Sequence, residues 1–143
     1  MRKFFGMAIF AVALIGAVPA AHAQSVQYTA ALTGADEVPA TDSKGKGSVI
    51  ATYDPKTKEL KWRVEYSGLT GDVTAAHFHG PAAPGANAPP IVPLPEPLKS
   101  PIDGKATLTD EQAKEFMDGK VYFNLHTEKN KGGEIRGQLM QML

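Results

Sequence analysis

Two histidines stand one residue apart in the stretch TAAHFHGP, at positions 77 and 79, and a third lies at 126 in NLHTE. The chain has 143 residues, four histidines and no cysteine. Imidazole nitrogens suit zinc and copper, and the divalent affinity order puts copper ahead. Successive side chains of a strand point to opposite faces, so His77 and His79 share a face, about 7 Å apart, while Phe78 points away. In VYFNLHTE, Val121, Phe123 and Leu125 form one face, and Tyr122, Asn124 and His126 the other. If the two strands are neighbours, His77, His79 and His126 converge on one ion. The competing reading is structural. His77 and His79 would cap loop carbonyls, and His126 would pair with Glu128 or Glu134. Spacing alone leaves these two readings level.

Other chemistry is less well supported. The serines lack a nucleophile motif such as the G-x-S-x-G elbow. Asp36 and Glu37 are adjacent, so on a strand they point opposite ways, and a cap or turn role is expected. EKNKGGE lacks the carboxylate pattern of a calcium loop. Met140 and Met142 share a face and are read as gap-filling core or as soft copper ligands. Glu134 and Arg136 alternate onto one face. Glu134 either orients a ligand histidine through its second ring nitrogen or forms an exposed ion pair with Arg136.

The elements that must carry these residues are mostly strands. In ELKWRVEYSGL, Leu60, Trp62, Val64 and Tyr66 alternate with Lys61, Arg63 and Glu65, the pattern of a half-buried antiparallel strand. SVQYTAAL, GSVIATYD, DVTAAHFH, GKVYFNLHTE and GEIRGQLMQM read as further strands, and IDGKATLT as a weaker one. Gly, Pro and Asp clusters separate them. One short helix is expected in LTDEQAKEFMDG. Thr109 and Gln112 form a capping box, Gly119 marks the exit, and Ala113, Phe116 and Met117 face the core. From Gly80 to Pro101 the chain is proline-rich. This is a long ordered loop, with at most an edge strand around PIVPL.

The N-terminus has a different character. Arg2 and Lys3 precede an apolar run, and Ala21-His22-Ala23 fits a cleavage site, so residues 1–23 are read as a secretory signal peptide. The remaining 24–143 form a single domain with no membrane span. Its location is periplasmic or secreted. Without Arg2 and Lys3, the 15 basic residues fall to 13 against 15 acidic ones. No basic stripe points to nucleic acid. Lacking thiols, an exported domain must rely on packing, and a metal must be held by other ligands.

The blocks LTGADEVPA, GLTGDVTAAHFHGPA and GKVYFNLHTEKNKGGEIRGQL, in that order, resemble the CHRD domain over about residues 28–139. The resemblance implies an all-β, antiparallel Greek-key β-sandwich, immunoglobulin-like or superoxide dismutase-like, with one short helix. It says little about activity, so whether the chain is an enzyme stays open. HFHG followed by NLHTEKNKGGEIRG also resembles the copper half of copper/zinc superoxide dismutase. That likeness implies copper ligation by His77, His79 and His126, with Arg136 as a guide for an anion. No counterpart of that enzyme's bridging histidine, zinc ligands or disulfide is found. The expectation is therefore an exported copper-binding protein, for copper handling or redox chemistry on a small oxidant such as superoxide. The alternative is a non-enzymatic module that binds a protein partner through the proline-rich loop.

Overall fold

The structure is a computed structural model and describes residues 23–143; the signal-peptide reading of 1–23 falls almost wholly outside the described residues. The strands are β1 (Val26–Thr33), β2 (Lys46–Asp54), β3 (Glu59–Ser67), β4 (Val73–His79), β5 (Pro90–Pro93), β6 (Ile102–Thr107), β7 (Tyr122–Thr127), β8 (Ile135–Gln138) and β9 (Met140–Gln141). One helix, α1, spans Asp110–Met117. All pairings are antiparallel. The sheet order is β5-β4-β7-β8-β1-β2-β3-β6, with β9 also on β1.

The all-β expectation with one short helix holds. The expected sandwich implied two separate sheets, whereas the hydrogen bonds run through one continuous sheet. The join is made where Thr33 of β1 pairs with Arg136 of β8. This sheet curls back on itself. Trp62 of β3 and Phe78 of β4 lie five strands apart in the order, which on a flat sheet would be roughly 24 Å. Their ring centroids are 5.6 Å apart. The result is a nearly closed barrel whose two edges, β5 and β6, do not pair.

Alternation sets which side chains fill it. Leu60, Trp62 and Val64 of β3 face inward with Val49 and Ala51 of β2, Tyr28 and Leu32 of β1, and Phe78, Phe123, Leu125 and Ile135 from the other half. Gly104 of β6 lies under the Trp62 indole, where a Cβ would stand 2.7 Å from the ring. Helix α1 plugs the barrel with Phe116, whose ring centroid is 5.5 Å from both Tyr28 and Phe78. Its capping box forms as expected, with Gln112 N–H donating to Thr109 Oγ1 and Thr109 N–H to Gln112 Oε1. Met117, expected in the core, is 57 % exposed. Eight residues give barely two turns, and the barrel side is already filled by Ala113 and Phe116.

The stretch GEIRGQLMQM also differs from expectation. It breaks at Leu139, so β8 pairs with β7 while β9 lies only on β1. Met140 and Met142 are left exposed rather than in the core.

The 80–101 segment is tied down along its length. Ala82 N–H donates to Lys120 O, Leu94 N–H to Ala76 O, and Gln138 Nε2 to Ala82 O. Val92, Leu94 and Leu98 are buried. This loop lies over the half of the sheet that carries the histidines, and so every residue of β7 is buried, on both faces.

Candidate metal centre

Strand β4 pairs with β7 so that His77 stands opposite Asn124, His79 opposite Tyr122, and Ala75 opposite His126. The three imidazoles therefore share the outer face of neighbouring strands. One ring nitrogen from each lies within 4.8 Å of the others. Ring centroids are 5.0 Å apart for His77 and His126, 5.4 Å for His77 and His79, and 6.2 Å for His79 and His126. The structure thus brings together the three histidines singled out from the sequence.

Their orientation is set by backbone carbonyls. His79 Nδ1 donates to Ala88 O at 2.9 Å, and His126 Nδ1 donates to Lys131 O at 2.8 Å. Each of these rings then carries its proton on Nδ1 and turns the lone pair of Nε2 toward the cluster. Such outer hydrogen bonds fix tautomer and ring angle at metal sites. His77 Nδ1 lies 3.1 Å from His126 Nε2. In the metal-free chain His77 donates there; with an ion present, the same Nδ1 is the atom placed to bind it. His79 Nε2 is buried without a hydrogen-bond partner.

The electrostatics favour neutral rings. Burial, then the neighbouring His126 and His79, push the His77 pKa down to about 4. Burial also lowers that of His79, against upward pulls from the Ala88 carbonyl and Asn124. Deprotonated imidazoles are the form that binds metals. His79 is 8 % and His126 9 % exposed, while His77 is half-buried and gives the cluster its opening.

Around the histidines is a polar layer, of which the sequence had singled out Arg136 alone, as a guide for an anion. Tyr122 stacks on His79, with centroids 4.7 Å apart and planes 5° from parallel. Its hydroxyl donates to Ala88 O, the same carbonyl that holds His79. The Arg136 guanidinium lies 3.4 Å from the Tyr122 ring centroid. Arg136 is only 2 % exposed; it donates to Asn87 Oδ1 at 2.9 Å and Ala86 O at 2.5 Å. In this structure it clamps the loop, and those two donors are committed. The only legible signal for the layer was period two. Tyr122 and Asn124 share the His126 face.

Glu134 neither orients a histidine nor pairs with Arg136. It is fully buried and accepts from Ser43 Oγ, Thr70 N–H, Thr70 Oγ1 and Thr127 Oγ1. Burial pushes its pKa up, but those hydrogen bonds outweigh it and hold the carboxyl at about 2. Of the adjacent pair at 36 and 37, Asp36 has the expected turn role. Its N–H donates to Thr33 Oγ1, capping a short 3-10 turn over Gly34–Asp36. Glu37 points inward and is 6 % exposed.

The CHRD domain model matches residues 28–139 of the chain. No curated protein and no solved structure matches it. The likeness to the dismutase copper site therefore has no support from the comparisons.

Proposed function

The chain belongs to the CHRD domain family, and we propose that it is an exported metal-binding protein that holds copper through His77, His79 and His126. One observation carries this reading. His79 Nε2 is a buried acceptor with no donor, in a ring whose other nitrogen is tied to Ala88 O, and it faces two more imidazole nitrogens. An unpartnered buried acceptor costs about 1–3 kcal/mol, and a bound cation removes that cost. Copper is preferred to zinc by the divalent affinity order.

The role we assign is copper handling. Redox chemistry on a small oxidant such as superoxide would require the open side at His77 to admit it. Residues 1–23 are assigned as the export signal, with a periplasmic or secreted location.

The chain's own residues supply three things. The Ala88 and Lys131 carbonyls orient two ligands. Tyr122 and the loop keep bulk water off the His79 ring. The half-exposed His77 would offer Nδ1 to an ion when its ring proton is on Nε2.

The test is titration of the metal-stripped mature protein with Cu(II), Cu(I) and Zn(II), with electron paramagnetic resonance on the Cu(II) form. One copper per chain with nitrogen couplings is expected. His79→Ala and His126→Ala should each lose it while circular dichroism shows the fold retained. If none of the three ions binds tightly, the metal reading fails. The non-enzymatic partner-binding module then becomes the better reading, with the exposed part of the proline-rich loop as its surface.

A further inference from the structure

Among the buried acceptor atoms that lack a hydrogen-bond donor, three lie side by side: His79 Nε2, Asn124 Oδ1 and Glu37 Oε1. They form one string. The Asn124 amide reaches Glu37 on one side and His79 on the other. In the neutral tautomer His79 Nε2 and Asn124 Oδ1 are both acceptors, so they face each other without bonding. Gly133, at φ +125°, leaves the room this needs. A Cβ there would collide with Glu37 Oε1 and Asn124 Nδ2 together. Glu37 also lines a cavity of about 300 Å³ with Lys129, Asn130, Lys131 and Gly132. The carboxyl thus has the metal site on one side and a cavity on the other.

Buried polar groups are nearly always satisfied, so three adjacent orphans call for an explanation. A cation on His79 Nε2 answers one, and a proton on Glu37 answers another. Burial raises the Glu37 pKa to about 7, although Arg136, Asn124 and the Val38 N–H all pull it down. The charged groups around it are Arg136 from β8 and Lys129 and Lys131 from the β7–β8 loop; Asp36 beside it is bonded to Thr33. No histidine ligand touches it directly, since Asn124 stands between.

We infer that Glu37 is the charge-compensating residue of the three-histidine site, holding a proton when no cation is bound and releasing it when one binds. This rests on the metal reading above. The Glu37 O–H bond breaks, the proton leaves to water through the cavity, and the carboxylate stays against Asn124 Nδ2. The incoming positive charge is then partly offset inside the fold. Glu37 acts through Asn124 and is a positioning residue, not a ligand.

The experiment is calorimetric titration of the metal-free mature protein with Cu(II), in two buffers of different ionisation enthalpy, for the wild type and Glu37→Gln. At about pH 6 the wild type should release roughly half a proton more per ion than Glu37→Gln. At about pH 8.5, where Glu37 is already ionised, that difference should vanish. The wild type should then bind about tenfold more tightly. Infrared difference spectra of the unaltered protein at about pH 6 give a reading that needs no variant. Loading Cu(II) should remove a protonated-carboxyl band. Equal proton counts and affinities, or an unchanged carboxyl band, overturn the role of Glu37 and leave the metal site standing. Absence of Cu(II) binding by the wild type overturns both.

Discussion

The two halves of the sheet treat their outer faces in opposite ways. On β3 and β6 the outward residues are charged and wet. Arg63 reaches Asp103 at 2.8 Å and Lys105 reaches Glu59 at 3.2 Å, and all of these side chains but the partly buried Glu59 lie half or more in solvent. On β4, β7 and β8 the outward residues include His77, His79, Tyr122, Asn124, His126, Arg136 and Gln138, and the proline-rich loop covers all but the half-exposed edge at His77 and Gln138. Both halves contribute inward apolar residues to one core. The difference is therefore not about making the barrel, since charges in water would have served on either side. Burying polar groups is costly unless each finds a partner. This layer, with His79 Nε2 left without a donor inside it, is the feature on which the proposed metal site rests.

The comparison breaks most visibly at Glu134, where β8 begins. Glu134→Ala removes the acceptor for Ser43, Thr70 and Thr127 in one step, and should cost about 3 kcal/mol of stability by urea denaturation. It should also weaken copper binding, because the loop that offers Lys131 O to His126 loses its anchor. A cost below about 1 kcal/mol would mean that the network is dispensable.

Next comes the pH profile of the metal-free protein. Glu134 sits at about 2, below its ordinary value, so its contribution is present above about pH 4.5 and is lost as pH falls toward 2. His77, depressed to about 4, likewise costs stability as pH falls from 6.5 toward 4. Glu37 has the opposite sign. Raised to about 7, it favours the fold below about pH 4.5 and that contribution is lost as pH rises through 7. Glu37→Gln should therefore flatten the decline between about pH 5 and 8 in thermal melts while leaving the acid limb in place. An unchanged decline would show that another group causes it.

The smallest effect belongs to the wet half. Arg63→Ala removes pairs to Glu65 and Asp103 that are half in solvent. Its urea-denaturation midpoint should stay close to that of the wild type, and copper binding should be untouched. A loss approaching that of Glu134→Ala would erase the contrast between the halves.

Much of this architecture could be read from the chain. The strands followed from alternation, because which face a side chain takes depends only on its immediate neighbours. ELKWRVEYS shows it most clearly. The capping box of α1 is equally local. The shared face of His77 and His79, and of Tyr122, Asn124 and His126, came from the same period of two. Met117 was misplaced because a short helix has one apolar stripe, and its width depends on what it packs against. The break at Leu139 was not legible because strand partners are not written in the strand's own residues.

What only the tertiary structure decided is how distant segments meet. His77 and His126 are 49 residues apart, and their 3.1 Å approach depends on β4 lying beside β7. The tautomers of His79 and His126 are set by carbonyls at Ala88 and Lys131, and a carbonyl exists at every position, so no residue type announces them. Glu37 looked like a turn residue beside Asp36. Its burial against Asn124 and Gly133 comes from three segments converging. Local sequence fixes direction and period, because these arise within a few bonds. Burial, partner and proton position arise from packing between segments, and those are the properties on which the site depends.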